Sequence, residues 1–90
     1  MRRLDLTPKA QKFLSKLPAK QFRQIVVKVF ALLENPEPQD ARPLKGYSFH
    51  RVDSGEYRII YEFNDDVVFI ILIGKRNDDE VYRHLKRSFG

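Results

Sequence analysis

A chain of 90 residues, 42% of them hydrophobic, can build one compact core and is too short for two full domains. Seventeen Lys and Arg against twelve Asp and Glu give a formal net charge of +5, which suggests nucleic acid, an acidic protein or an anionic surface as partner. The absence of cysteine excludes disulfides, thiolate catalysis and cysteine-bound metals.

The N-terminal arginines are not followed by a long apolar stretch, so we expect no signal peptide. The longest apolar run, Val67 to Ile73, has seven residues, far fewer than the roughly 20 that span a bilayer. The sequence therefore predicts a single domain, residues 1–90, that is soluble and cytoplasmic.

The first part of the chain predicts a strand followed by a helical hairpin. Leu4 and Leu6 alternate with charged residues, which is typical of a short half-buried strand. Thr7 as N-cap, with proline at the next position, predicts the start of a first helix. A second helix is predicted from about Ala19 to Glu34. Its inner face is predicted to hold six apolar residues: Phe22, Ile25, Val26, Val29, Leu32 and Leu33.

Residues 36–46 are predicted to be a loop, beyond which the apolar period changes from 3.6 to 2. The predicted strands are Ser48–Asp53, Glu56–Phe63 and Val67–Gly74. A last helix is expected from near Asn77, where Asn77 and Glu80 resemble a capping box. The order is β-α-α-β-β-β-α, an α+β fold in which the helical hairpin and the C-terminal helix cover one face of an antiparallel-rich sheet.

The first predicted turn brings two arginines together on the face away from the helices. A two-residue Ser54-Gly55 loop would place Arg51 directly opposite Arg58. Like charges in that arrangement destabilise a sheet, and such a broken local rule is typical of a functional site. The alternative is that nearby carboxylates pair with these bases at the surface: Asp53, Glu56 and Glu62.

The second predicted turn enlarges this group of basic residues. With Asp65-Asp66 as the loop, Lys75 would lie diagonally from Arg58 on the same face, and Arg76 would follow at the end of the strand. The resulting basic cluster would require an anion. A slip of one residue in either register would move an arginine to the other face.

The remaining polar residues predict no other chemistry. His50 and His84 lack the spacing of metal ligands, so no metal site is expected. The sequence also has no Gly-rich phosphate loop, Ser/His/Asp triad or carboxylate pair suited to glycosidase work. Tyr82 is expected to pack in the apolar stripe of the last helix with Leu85 and Phe89.

Several segments, taken in order, resemble the RelE/ParE family of bacterial toxins from toxin–antitoxin pairs. They are Leu44-Lys45-Gly46, Tyr57-Arg58-Ile59-Ile60-Tyr61, Ile73-Gly74-Lys75-Arg76 and Val81-Tyr82. The chain looks more like RelE, a ribosome-dependent mRNA endonuclease, than like ParE, which poisons DNA gyrase. The resemblance implies a cognate antitoxin, the ribosome and mRNA as partners, operator DNA only through the antitoxin complex, and no cofactor.

In RelE-type toxins, cleavage is served by basic residues on the strand before the hairpin, the arginine of the Tyr-Arg pair, the arginine after the last strand and a tyrosine of the final helix. The matching positions are Arg51, Arg58, Arg76 and Tyr82, with Lys45 and Lys75 as further expected RNA contacts. RelE itself has a second lysine two residues before the position of Arg51, where this chain has Phe49. That lysine is the general base proposed for the family, so the resemblance assigns no general base in this chain.

The expected reaction is attack of the substrate's own 2′-OH on the adjacent phosphate. Because the pKa of arginine exceeds about 12, Arg51 and Arg58 are expected to clamp the phosphate and not to act as bases. Arg76 would bind the same phosphate or aid the leaving group, and Tyr82 would stack on a base or bond to the 2′-oxygen. Two alternatives stay open: a ParE-like gyrase-inhibiting toxin, or a non-catalytic basic binding module.

Overall fold

The computed structural model describes residues 1–77 and 80–89, which form a five-stranded sheet and three helices. The strands are β1 (Arg3–Leu6), β2 (Arg42–Pro43), β3 (His50–Ser54), β4 (Tyr57–Phe63) and β5 (Val67–Lys75). The helices are α1 (Pro8–Ser15), α2 (Ala19–Glu34) and α3 (Glu80–Phe89). Across the sheet the order is β1-β5-β4-β3-β2, with β1 parallel to β5 and the other neighbours antiparallel.

Most predicted elements are confirmed, and two local details differ. The short strand β2 lies in the stretch predicted to be a loop. Phe22 was predicted to face inward but is 40% exposed. The capping box predicted for Asn77 with Glu80 stays a prediction, because the structure describes the backbone of Glu80 but not its side chain. Among the helices that are described, none is long and apolar enough to cross a membrane.

Thr7 joins β1, α1 and β5, and its prediction as a helix N-cap is confirmed. Its hydroxyl oxygen accepts a hydrogen bond from the Ala10 amide at 3.1 Å, which satisfies one of the open donors of the first turn. The same hydroxyl donates to the carbonyl of Ile71 at 2.7 Å. One side chain therefore caps the helix and anchors it to the sheet.

The sheet is covered on both faces, so the prediction that all helices share one face is wrong. Helices α1 and α2 pack on the face that holds Val52, Ile59 and Tyr61. The other face carries a second apolar cluster, in which Val81 and Leu85 of α3 meet sheet residues. The strand residues of that cluster are Ile60, Ile71 and Leu72, and Phe49 joins them from just before β3. Because β5 is apolar on both sides, each face needs its own cover.

The β3–β4 hairpin differs from the predicted register by two residues. Ser54 pairs with Tyr57, so the loop is Gly55-Glu56, with Gly55 at a positive φ of +59°. This places Asp53 directly opposite Arg58, an attractive pair in place of the predicted repulsive one. A shift of two residues keeps every side chain on its face, so Arg51 still shares the face of Arg58.

The β4–β5 hairpin contains an irregularity that the predicted register lacks. Near the turn Tyr61 pairs with Ile70, as expected, but Ile60 pairs with Leu72, so Ile71 is an extra residue. Such a bulge reverses the face of every residue that follows it. Lys75 therefore pairs with Tyr57, on the face of α1 and α2, and the prediction that it shares the face of Arg58 is wrong.

Candidate functional site

The guanidinium of Arg58 lies at the centre of a polar cluster between the β3–β4 hairpin and α3. Its Nε–H donates to Oδ1 of Asp53 at 2.8 Å, and Nη2 donates to Oδ2 at 3.3 Å. Its Nη1 donates to the hydroxyl of Tyr82 at 2.7 Å. The side chain is only 16% exposed, so these three bonds hold it in one orientation.

Asp53 is the carboxylate of this cluster. The hydrogen bonds from Arg58 hold the pKa of Asp53 below its usual range, against the effect of burial, and the charges of Arg51 and Arg76 lower it further. The same ion pair raises the pKa of Arg58. Both groups are therefore charged at neutral pH. The stabilisation from the lowered Asp53 pKa is present above the ordinary value of 3.8 and is lost as pH falls through the folded-state value.

Two more arginines flank the ion pair. Arg76 follows β5, and its Nη1 lies 3.9 Å from Oδ2 of Asp53, while its backbone N–H donates to the carbonyl of Glu56 at 2.9 Å. Arg51 is diagonal to Arg58 on the same face, because it pairs with Ile60. The predicted grouping of Arg51, Arg58 and Arg76 is therefore present, although one carboxylate lies among the three guanidiniums.

Tyr82 reaches the cluster because α3 lies close to the sheet. Gly74 is opposite Arg58 on β5, and a Cβ there would collide with the side chain of Val81 on α3. The ring of Tyr82 packs against the second apolar cluster, as predicted, while its hydroxyl accepts the bond from Arg58. The prediction of an uncovered face is thus wrong, since α3 forms one wall of the site.

The two lysines predicted as RNA contacts lie away from this ion pair. Lys75 lines a groove of about 430 Å³ between α1 and α3, together with two lysines of α1 and the lysine that follows its last residue. Those three lysines are Lys9, Lys12 and Lys16. Lys45 is exposed in the turn between β2 and β3, next to Gly46, whose φ is +87°. Neither lysine is part of the Arg58 cluster.

Phe49 is a structural residue at the position where the resemblance leads one to expect a lysine. It is buried, stacks on Tyr47 at 5.7 Å between ring centroids, and meets the edge of Phe89 at 5.4 Å. These contacts secure the end of α3 on the sheet. Within residues 1–77 and 80–89, no group of three or more His, Asp or Glu side chains is arranged to hold a metal ion.

From the sequence alone, Asp53 is predicted only as one of several carboxylates that could pair with the bases at the surface. The position of the glycine in the turn is the feature of the sequence that predicts the pairing of Asp53 with Arg58. Gly55 at the first of two loop positions, where a positive φ is needed, sets the register that places Asp53 opposite Arg58.

The fold and the cluster define a small basic α+β domain with a group of arginines beside its last helix. A family model described as ParE toxin of the type II toxin–antitoxin system parDE matches residues 4–80. By sequence the chain is 36% identical over 85 residues to the mRNA interferase toxin RelE of Escherichia coli K12, covering 88% of this chain and 87% of that protein. The mRNA interferase RelE of Shigella flexneri matches equally well.

Solved structures of RelE toxins share the fold. A mutant of the E. coli toxin RelE in the free state has a TM-score of 0.78 and 30% identity, covering 98% of each chain. The archaeal RelE–RelB complex from Pyrococcus horikoshii has a TM-score of 0.73 and 28% identity, covering 83% of this chain and 94% of that one. This chain belongs to the RelE/ParE superfamily of toxins from type II toxin–antitoxin systems.

Proposed function

We propose that this chain is a RelE-like toxin of the cytoplasm that cleaves mRNA in the ribosomal A site and is silenced by a cognate antitoxin. The observation that carries the proposal is the Arg58–Tyr82 pair, in which a fixed guanidinium and a phenol hydroxyl 2.7 Å apart lie on a basic face. Relatives named mRNA interferase toxin support the nuclease activity, and solved RelE–RelB complexes support the antitoxin.

The proposed reaction is a transfer within the RNA that uses no cofactor or metal. The 2′-OH loses its proton and its oxygen bonds to the adjacent phosphorus, while the bond from phosphorus to the 5′-oxygen breaks and that oxygen takes up a proton. The products are a 2′,3′-cyclic phosphate and a 5′-hydroxyl. Arg58, Arg51 and Arg76 stabilise the charge that accumulates on the phosphoryl oxygens.

Tyr82 is the residue of the cluster suited to contact the sugar. Its hydroxyl accepts a bond from Arg58, so its own proton remains to be donated to another oxygen, such as the 2′-oxygen. Asp53 is a poor general base, because both of its oxygens accept bonds from Arg58 and its pKa is lowered. With no strong base in place, much of the rate comes from positioning of the RNA, which explains a need for the ribosome.

Induction of the chain in a bacterium, followed by mapping of mRNA ends, tests this proposal. We expect breaks in codons at the ribosomal A site, together with growth arrest that co-expressed antitoxin relieves. Arg58→Ala should abolish both effects while the protein stays folded by circular dichroism. A folded Arg58→Ala variant with full toxicity would refute the site.

A second function is favoured by one observation, the match of residues 4–80 to the family model described as ParE toxin. A ParE-like chain would inhibit DNA gyrase and cut no RNA. The same induction experiment separates the two functions, because gyrase inhibition leaves mRNA ends unchanged and produces trapped double-strand breaks in DNA.

A further inference from the structure

Asp53 has no role in the set of residues matched to the RelE toxins, yet it accepts two hydrogen bonds from the guanidinium of Arg58. We propose that Asp53 is a positioning residue of the nuclease site, which holds Arg58 so that one defined part of its guanidinium faces the scissile phosphate. This inference rests on the proposed function, in which Arg58 binds that phosphate.

The hydrogen bonds of Arg58 show which donors Asp53 removes and which it leaves. A guanidinium has five N–H donors in a rigid plane. Asp53 takes Nε–H and one N–H of Nη2, and Tyr82 takes one N–H of Nη1. One N–H on each of Nη1 and Nη2 is left for a substrate oxygen, away from the edge that Asp53 holds. The carboxylate of Asp53 therefore determines which N–H groups of the guanidinium face the substrate, and it does not occupy those groups itself.

The surroundings support a holding role. Arg58 is 16% exposed and Asp53 is 33% exposed on their side chains, so the pair is partly shielded from water. The two residues pair directly across the β3–β4 hairpin, whose register is fixed by the turn at Gly55. An arginine without such a partner samples many rotamers, and ordering it when RNA binds would slow the reaction.

Asp53 also reduces the positive charge of the site, which makes the proposal testable. Without its carboxylate, Arg51, Arg58 and Arg76 would attract phosphate more strongly. If Asp53 only lowered the positive charge, it would weaken RNA binding and slow cleavage. Its removal would then increase both the affinity for RNA and the cleavage rate. If Asp53 positions Arg58, its removal has the opposite effect on the cleavage rate. Cleavage then becomes slower, although RNA binding does not weaken.

The experiment is single-turnover cleavage of mRNA on programmed ribosomes by the full chain. For Asp53→Ala we expect the rate constant at saturating toxin to fall roughly 10- to 100-fold. The half-saturating toxin concentration should stay unchanged or decrease. Asp53→Asn keeps the size and one acceptor oxygen for Nε–H, so it should fold and show a smaller fall. Asp65→Ala removes the same charge from an exposed turn and should leave the rate unchanged.

A second readout does not depend on activity. In ¹⁵N NMR spectra, the Nε–H signal of Arg58, assigned by its loss in Arg58→Lys, should exchange slowly with water in the wild type and in Asp65→Ala. It should exchange faster in Asp53→Ala. Cleavage by Asp53→Ala at or above the wild-type rate, or unchanged Nε–H exchange, would overturn the positioning role alone. Absence of cleavage by the wild type would instead overturn the proposed function, and this role with it.

Discussion

Gly74 lies where α3 comes closest to the sheet, and we predict that one added methyl group there destabilises the protein by displacing the helix. A Cβ at this position would collide with Cγ2 of Val81 but would lie 3.6 Å from the Cβ of Val81, an ordinary van der Waals distance. Val81 is buried and its β-branched side chain has one strongly preferred rotamer in a helix, so we expect the helix to shift to relieve the collision. Overpacking of this kind costs about 1–3 kcal/mol, which is the expected loss in the free energy of unfolding for Gly74→Ala.

Val81→Ala removes the methyl group that the new Cβ would strike. Alone, it should destabilise the protein by about 2 kcal/mol through lost apolar burial and the cavity left behind. In that background Gly74→Ala should cost almost nothing, because the remaining contact is the one at 3.6 Å. The two substitutions should therefore show a favourable coupling energy of about 1–3 kcal/mol.

Urea unfolding of the wild type, both single variants and the double variant, followed by circular dichroism, measures this coupling. Gly46→Ala is the matched control, because Gly46 has a φ of +87° and a Cβ there would meet nothing within 4 Å. It should lose about 1–2 kcal/mol from backbone strain alone, equally in both backgrounds. Additive effects of Gly74→Ala and Val81→Ala would refute the placement of α3 on this face.

Three further substitutions test the two cores and the cluster. Tyr61→Phe should cost about 1–3 kcal/mol, because the buried hydroxyl donates a 2.6 Å bond to a backbone carbonyl. Burial raises the pKa of Tyr61 to about 12, so its contribution is intact below pH 10, and the stability gap between wild type and Tyr61→Phe should close as pH rises from 10 towards 12 in unfolding titrations. Phe49→Lys should lower stability by about 2 kcal/mol or more, since it removes the ring contacts with Phe89, and an unchanged melting temperature would count against the second apolar cluster. Tyr82→Phe keeps the ring but loses the bond from Arg58, so the rate of mRNA cleavage on the ribosome should fall roughly 10- to 100-fold. Full activity of this variant would show that Tyr82 contributes only by stacking.

The elements of this fold follow from local patterns in the sequence. Thr7 caps α1 through its own hydroxyl, and α2 begins at Ala19 and ends at Glu34, as the apolar spacing predicts. These features depend on neighbours within a few residues, so they can be inferred without knowledge of the tertiary structure.

The registers between neighbouring strands depend on bulges and on the choice of turn residues, which hydrophobic periodicity does not predict. The extra residue at Ile71 reversed the face of Lys75, and the choice of Gly55-Glu56 as the turn replaced Arg51 by Asp53 opposite Arg58. The strand Val67–Lys75 is apolar on both faces, which predicts a central position in the sheet. The same pattern also means that both of its faces must be buried, and α3 buries one of them. Arg51 and Arg58 were correctly grouped because a shift of two residues leaves both side chains on the same face.

Cleavage of a defined mRNA by the purified chain tests the central claim most directly. Ribosomes stalled with an empty A site would carry an end-labelled mRNA, and the same mRNA without ribosomes would be the control. We expect cuts within the A-site codon that leave a 2′,3′-cyclic phosphate, little cleavage of free RNA, and loss of activity in Arg58→Ala. An intact mRNA on the ribosome, or equal cleavage by wild type and Arg58→Ala, would contradict it.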